Sequence, residues 1–345
     1  MKNKKFTIGL TLLMASTLVL TNCTKGKMND APSPDYEFKS TQDVNRIQMI
    51  IADIDEIGAT AANQYTNLFG WQSYTPLSIM QGTNTINSTA GTILANNTPG
   101  VGGYTVSFNN TVGKDGHVRN GVLMFNYGAT TTLVGVDYGR QPAFCAAVTA
   151  VGYTVDDYSV TINSMKVTNT TPVGFPTTTP YTPANYNLTW SIVSDVKIAR
   201  SASEVTTFNG TVTKTLLNTK IGVGVPMPIA SPQTFTAYPA TGTSLNLPKA
   251  WYSYSGTGQG SLPDVGPYGI TITNVTRNFN SSPETFYSSA GMFVTPERHP
   301  FMSGTMSFKP GAKPTRDVDY GAGENCDYNA KVTISGITYD VDCKD

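Results

Sequence analysis

The stretch Val332-Thr-Ile-Ser-Gly-Ile-Thr-Tyr-Asp-Val341, near the carboxyl end of the chain, decides the fold class. Hydrophobic and polar residues alternate on both sides of Ser335-Gly336. A two-residue connection of this kind between alternating runs is typical of a β-hairpin. In this register Ile334 opposes Ile337. The stretch therefore predicts two antiparallel strands joined by a tight turn.

Short alternating segments of the same kind recur from about residue 67 onward, with Gly, Pro and Asn between them. Examples are Tyr104-Thr-Val-Ser-Phe108, Tyr158-Ser-Val-Thr-Ile162, Leu188-Thr-Trp-Ser-Ile-Val193 and Gly269-Ile-Thr-Ile-Thr273. Many short strands with frequent turn residues are typical of antiparallel sheet proteins. We therefore expect an all-β fold of antiparallel sheets with a sandwich-like arrangement.

Two parts of this β region follow the same order of landmarks. The first contains Gly121-Val-Leu-Met-Phe125, Val136-Asp-Tyr-Gly139 and Cys145. The second contains Gly304-Thr-Met-Ser-Phe308, Val318-Asp-Tyr-Gly321 and Cys326. Collinear landmarks of this kind predict a duplicated structural unit. We expect one β unit over residues 67–205 and a related one over residues 206–345.

One helix is predicted ahead of the strands. Five isoleucines recur at the spacing of a single helix face, namely Ile47, Ile50, Ile51, Ile54 and Ile57. We expect an amphipathic helix over residues 39–66 that packs this face on the sheet. A helix that binds a partner is the alternative.

The amino terminus resembles a bacterial export signal. Three lysines precede an uncharged run from Phe6 to Leu20, which is shorter than the roughly 20 residues of a membrane-spanning helix. Leu20-Thr-Asn-Cys23 resembles a lipobox, whose cysteine is acylated before cleavage. We predict a signal peptide over residues 1–22, lipidation of Cys23 and a flexible tether over residues 23–38. A secreted protein with an unmodified Cys23 is the alternative.

Composition narrows the location and the partners. The 23 basic residues equal the 23 acidic ones in number and are scattered, whereas nucleic-acid binding requires clustered Lys and Arg. Abundant Thr, Asn, Ser and Gly are typical of extracellular β proteins. We therefore expect a lipid-anchored protein of the outer membrane or cell surface. Its partners are the membrane and glycans or other surface proteins, and nucleic acid is not among them.

Three cysteines remain if Cys23 is lipidated. Cys326 and Cys343 fall on the same face of the carboxy-terminal hairpin, one diagonal step apart. A disulfide between them is predicted, with a bulge near Asn325 that brings the two sulfurs to bonding distance. Two unpaired thiols are the alternative.

The sequence contains no recognisable catalytic constellation. Each of the two histidines, His117 and His299, has one nearby carboxylate, whereas a zinc site needs three or four donors. No spacing selects a pair of acids for glycoside hydrolysis, and Gly-x-Ser-x-Gly is absent. The run Gly256-Thr-Gly-Gln-Gly260 lacks the ending of a phosphate loop and predicts a flexible turn. We expect no enzyme, no metal and no cofactor.

Aromatic side chains are the better candidates for a binding site. Trp251, Tyr252 and Tyr254 form a cluster of large flat groups among small polar residues. Exposed aromatic faces can stack on sugar rings, so the cluster predicts glycan binding as an alternative function. The competing interpretation is that these aromatics are buried, as most aromatics are.

The carboxy-terminal region resembles a known group of proteins. Gly304-Thr-Met-Ser-Phe308, Thr315-Arg-Asp-Val-Asp-Tyr-Gly321 and Ala330-Lys-Val-Thr-Ile-Ser-Gly-Ile-Thr-Tyr339 are similar to the carboxy-terminal signature of uncharacterised β-rich lipoproteins from Bacteroidota. The resemblance implies a membrane-anchored lipoprotein of the outer membrane or surface, and it brings no catalytic residues. Together with the composition, it leads us to expect a non-enzymatic adhesive or scaffolding role.

Overall fold

The computed structural model describes residues 38–65, 85–88, 103–112, 117–127, 145–170, 189–217, 250–279, 301–322 and 329–343. The helix and all described strands belong to one compact unit within residues 39–345. The predicted signal peptide and Cys23 lie outside the described residues. No helix in the described ranges has both the length and the apolar character needed to cross a membrane.

One helix precedes thirteen strands in the described chain. Helix α1 is Lys39–Tyr65. The strands are β1 (Thr85–Ser88), β2 (Gly103–Val112), β3 (Val118–Tyr127), β4 (Cys145–Val155), β5 (Tyr158–Asn169), β6 (Thr189–Ala199), β7 (Val205–Leu216), β8 (Ala250–Leu262), β9 (Gly266–Phe279), β10 (Phe301–Pro310), β11 (Arg316–Asp319), β12 (Asn329–Ile334) and β13 (Ile337–Asp342). The predicted all-β, antiparallel class with one leading helix is confirmed.

The strands form a single sheet in which each strand pairs with the next one along the chain, from β1 to β13. Every pairing is antiparallel, whether the connection is a two-residue turn, as between β12 and β13, or a long segment, as between β7 and β8. The described strands of both predicted β units lie in this sheet, and the division into two units stays a prediction.

The carboxy-terminal hairpin has the predicted register. Ile334 pairs with Ile337 across the turn between β12 and β13. Ser335 and Gly336 have φ angles of 52° and 82°, and positive φ at both central residues matches the right-handed twist of the strands.

The predicted flexible turn at residues 256–260 is wrong, because these residues lie inside strand β8. Three glycines alternate there on the inner face of the sheet. A Cβ atom on Gly258 would lie 2.3 Å from the ring of Phe208 on strand β7. The glycines therefore leave room for a buried aromatic ring, and the sequence pattern reflects packing.

Helix α1 is buried on all sides between Ser40 and Gly58, except for the half-buried Gln42 and Arg46. Its isoleucine face packs on the sheet, as predicted. Its polar face is buried as well, including Asn45 and Asp53. Residues from β3, β7, β9 and the end of β13 all reach the helix, so the sheet curves around it. A helix surrounded in this way needs partners in the protein for its polar groups. Asn45, Asp53 and Asp55 have such partners. Among the described residues, buried side-chain atoms of Ser40, Thr41 and Gln48 have no hydrogen bond.

Candidate functional site

An ion pair joins the middle of the helix to strand β3. Arg119 Nη2 lies 2.9 and 2.8 Å from the two carboxylate oxygens of Asp53, and its Nε lies 3.2 Å from Oδ2. The side chains are 1% and 9% exposed. Bidentate contacts between a guanidinium and a carboxylate fix the orientation of the two side chains relative to each other. Because the pair is sealed from solvent, its role is to position the helix.

A second buried cation, Lys214 on β7, donates a hydrogen bond to Asp55. Its Nζ lies 4.4 Å from the ring centre of Tyr252 and 5.1 Å from that of Trp190. Burial is the largest single effect and lowers the pKa of Lys214. The charge of Asp55 and its hydrogen bond, together with Tyr252 and Glu56, outweigh burial and leave the pKa raised. Lys214 therefore stays protonated, which suits a structural cation and excludes a neutral nucleophilic amine.

The structure places two residues of the predicted glycan-binding cluster, Tyr252 and Tyr254, on the inner face of strand β8. Tyr254 is 4% exposed and lines an internal cavity of about 20 Å³. Burial raises its pKa well above the ordinary value. Tyr252, two residues earlier on the same face of β8, packs edge-on against the buried Trp190. Neither tyrosine is placed to stack on a sugar, because both face the helix. The side chain of Trp251 lies outside the described residues.

His117 lies just before strand β3 and contacts a residue of a nearby turn. Its Nδ1 lies 2.8 Å from Asp156 Oδ2, while Asp156 Oδ1 accepts a hydrogen bond from the Val118 amide at 3.0 Å. The contact joins the start of β3 to the turn between β4 and β5. Within the described ranges, no three His, Cys, Asp or Glu residues lie together as metal ligands would. His299 lies outside these ranges.

Cys343 lies buried at the end of β13, and its sulfur forms no disulfide with another described residue. Its predicted disulfide partner, Cys326, lies outside the described residues, so the disulfide stays a prediction. Burial raises the pKa of the Cys343 thiol to about 12. The backbone oxygen of Cys343 accepts a 3.5 Å hydrogen bond from Asn45 in the helix.

Cys343 should react much more slowly with iodoacetamide in the native protein than in the unfolded protein at neutral pH. The thiolate is the reactive form, and the raised pKa leaves little of it. Mass spectrometry of the Cys343 peptide after timed alkylation measures the difference. Equal labelling of the native and unfolded protein would show that this thiol is accessible. Repeating the labelling of the unfolded protein without reductant tests the disulfide, because only a bonded Cys343 then stays unlabelled.

A polar cavity of about 260 Å³, here called the entry pocket, lies where the helix begins. The first turns of α1 form one wall, and the β4–β5, β6–β7 and β8–β9 ends of the sheet form the other. Its lining residues are Lys39, Gln42, Asp43, Arg46, Tyr158, Arg200, Glu204, Thr206 and Pro263. Four separate segments of the chain therefore build one concave site, as is usual for ligand pockets.

Ion pairs hold the two walls of the entry pocket in place. Lys39 Nζ lies 3.1 Å from Glu204 Oε1, and this hydrogen bond raises the pKa of Lys39. On the helix, Arg46 Nη1 lies 3.3 Å from Asp43 Oδ1. Burial raises the pKa of Asp43 in spite of this cation. The guanidinium of Arg46 also covers the ring of Tyr158 at 4.7 Å.

The outer surface of β7 to β10 carries an uncharged patch of hydroxyl and amide side chains, here called the hydroxyl face. Its members are Asn209, Thr211, Thr213, Ser255, Thr257, Gln259, Thr271, Thr273, Thr305 and Ser307. The register aligns Thr211, Thr257, Thr271 and Ser307 in one row across four strands. Charged residues flank the face, among them Asp195 on β6 and Asp317 on β11.

Sequence reasoning missed both surfaces. The signal for the hydroxyl face was present, because Thr-x-Thr runs occur in β7 and β9, but only the strand register shows that they meet. The entry pocket has no local signal, since its residues come from distant turns. No protein-family model, curated protein or solved structure matches this chain.

Proposed function

We propose that the chain is an exported lipoprotein, anchored to the outer membrane or cell surface through Cys23, with a non-enzymatic adhesive or scaffolding role. The hydroxyl face is the observation that carries the binding part of this proposal. It is the surface through which the protein contacts glycans or other surface proteins.

The chemistry of the hydroxyl face supports contact with an uncharged, hydrogen-bonding partner. Each Thr or Ser hydroxyl both donates and accepts. A single hydrogen bond contributes only about 0.5–1.5 kcal/mol net, so useful affinity needs many of them at once. The row from Thr211 to Ser307 supplies such an array on paired strands about 4.8 Å apart. Anchored copies on one surface would add to the strength of attachment through multivalency.

The anchoring part of the proposal rests on the amino-terminal sequence. Cells grown with labelled palmitate should incorporate label into the wild-type chain and not into a Cys23→Ser variant. The variant should also leave the membrane fraction, because without the thiol at position 23 the amino terminus can direct export but cannot be acylated. Equal fractionation of the two proteins, with no label in either, would remove the anchor from the proposal.

The hydroxyl face is tested by adding charge to it. The triple variant Thr211→Lys, Thr257→Lys, Thr271→Lys should reduce attachment of the full chain to neutral glycan arrays by about tenfold or more, because it removes three hydroxyl groups and an uncharged partner would have to desolvate three ammonium groups. A matched control places three lysines at Ser159, Thr161 and Asn163, which are exposed on β5. Equal attachment of both variants would exclude the hydroxyl face as the binding surface.

A further inference from the structure

We propose that the entry pocket binds an acidic sugar, a single saccharide unit that carries a carboxylate and neighbouring hydroxyl groups. The entry pocket lies at one end of the sheet and the hydroxyl face lies on its outer surface. The inference therefore goes beyond the proposed function and holds whether or not the hydroxyl face binds a partner.

The size of the entry pocket suits one small polar molecule. Its volume of about 260 Å³ is slightly below the roughly 300–1,000 Å³ of pockets that hold drug-sized ligands. Charged and polar side chains dominate the lining, which disfavours an apolar ligand, because such a ligand would leave these groups without hydrogen-bond partners.

Arg200 is the group that would hold the carboxylate. Its guanidinium is 54% exposed and makes one long contact within the described residues, from Nη2 to Asp157 Oδ2 at 3.4 Å. Arginine carries five N–H donors in a planar fork that matches a carboxylate, so most of its donors are available. The lining contains three cations and two carboxylates, and burial raises the pKa of one of these carboxylates, Asp43. Two further carboxylates contact lining cations from outside the lining, Asp157 with Arg200 and Asp264 with Lys39, but they are 75% and 78% exposed, so water screens their charges.

The hydroxyl groups of the sugar would meet donors and acceptors on both walls. Thr206 is 3% exposed and lines the pocket, and its hydroxyl forms no hydrogen bond within the described part of the chain. On the helix, Gln42 donates from Nε2 to the Asp342 carbonyl at 3.1 Å, which leaves Oε1 as an acceptor. A largely buried threonine whose hydroxyl has no hydrogen bond among the described residues favours a ligand that supplies one.

A free amino acid could also offer a carboxylate to Arg200, but the charges of the pocket favour the sugar. The ammonium group of an amino acid would need an uncompensated carboxylate. Glu204 is instead paired with Lys39 at 3.1 Å, so it remains suited to accept hydrogen bonds from neutral hydroxyl groups.

Calorimetric titration of the full chain with D-galacturonate, D-galactose and L-serine tests the proposal. Galacturonate should bind, and galactose should bind at least about tenfold more weakly because it lacks the charge-assisted hydrogen bonds. Arg200→Gln should weaken galacturonate binding by a similar factor. Lys197→Gln, which removes an exposed cation from the outer face of β6, should leave it unchanged.

Three outcomes would overturn the proposal: no heat with galacturonate up to about 10 mM, equal binding by wild type and Arg200→Gln, or tighter binding of serine than of galacturonate. Arg200 is exposed in a turn, so the variant should keep the unfolding midpoint of the wild type. Thr206→Val is the second variant. It should lower the affinity for galacturonate and leave the preference for the acidic over the neutral sugar in place.

Discussion

Asp53→Leu is expected to lower the free energy of unfolding by about 3–5 kcal/mol, because it leaves the buried guanidinium of Arg119 without a counter-charge. The double variant Asp53→Leu, Arg119→Met should recover most of that loss, since a buried ion pair can be replaced by apolar residues of similar volume. Denaturant unfolding of the full chain, followed by circular dichroism, measures both. The difference between the single and double variants isolates the cost of the unpaired charge.

The exposed pair between Arg200 and Asp157 provides the matched control. Its side chains are 54% and 75% exposed, and exposed pairs contribute little because water screens them. Asp157→Leu should therefore change the free energy of unfolding by less than about 1 kcal/mol. If Asp53→Leu and Asp157→Leu had the same effect, the buried pair would not be what positions the helix.

Gly304→Ala is the second change with a large expected effect. Gly304 has a φ of +92°, and an added Cβ would lie 2.2 Å from the backbone oxygen of Asn274 on the neighbouring strand. Positive φ alone costs a residue with a side chain about 1–3 kcal/mol, and the overlap with a backbone atom adds to this. We expect a loss of at least about 3 kcal/mol in the free energy of unfolding and a sharply reduced soluble yield.

Gly121→Ala should behave in the same way, because Gly121 has a φ of +86° and its Cβ would lie 2.2 Å from the Gly152 oxygen. Gly269 supplies the control, since a Cβ there meets nothing within 4 Å. Gly269→Ala should be neutral or slightly stabilising. Thermal unfolding of the three variants ranks them. A Gly304→Ala protein as stable as Gly269→Ala would show that β9 and β10 can move apart at Gly304, where their register shifts.

The strands and the turn at Ser335-Gly336 could be predicted because their signals are local. Alternation sets the two faces of a strand, and the turn residues set the register. The helix could be predicted from its isoleucine spacing for the same reason. These features depend on residues that are close together in the sequence.

The burial of the polar helix face could not be predicted in this way. Asp53 and Asp55 lie off the isoleucine stripe, where acidic residues normally face water. Their partners, Arg119 and Lys214, lie 66 and 159 residues further along the chain. The sequence contains one indication of this buried pairing. Lys214 lies on the same face of its strand as the buried Val212 and Phe208. A cation in the apolar phase of a strand implies a buried counter-charge.

The burial of Tyr252 and Tyr254 could not be predicted from the sequence for a different reason. Tyr252 and Tyr254 are two residues apart in a strand, so the sequence places them on one face. It does not tell which face is the inner one. The inner face is identified by Lys214 on the neighbouring strand β7 and by Trp190 on β6, one strand further away, whose side chains contact Tyr252.

The contacts of the helix with the far end of the chain have a consequence for how the molecule assembles. Gln42 and Asn45 bond to the carbonyls of Asp342 and Cys343, 300 and 298 residues away. Helix α1 thus receives these partners from the end of strand β13, which is synthesised much later. Long-range contacts of this kind make folding slow, and the helix cannot complete its packing until β13 has been made.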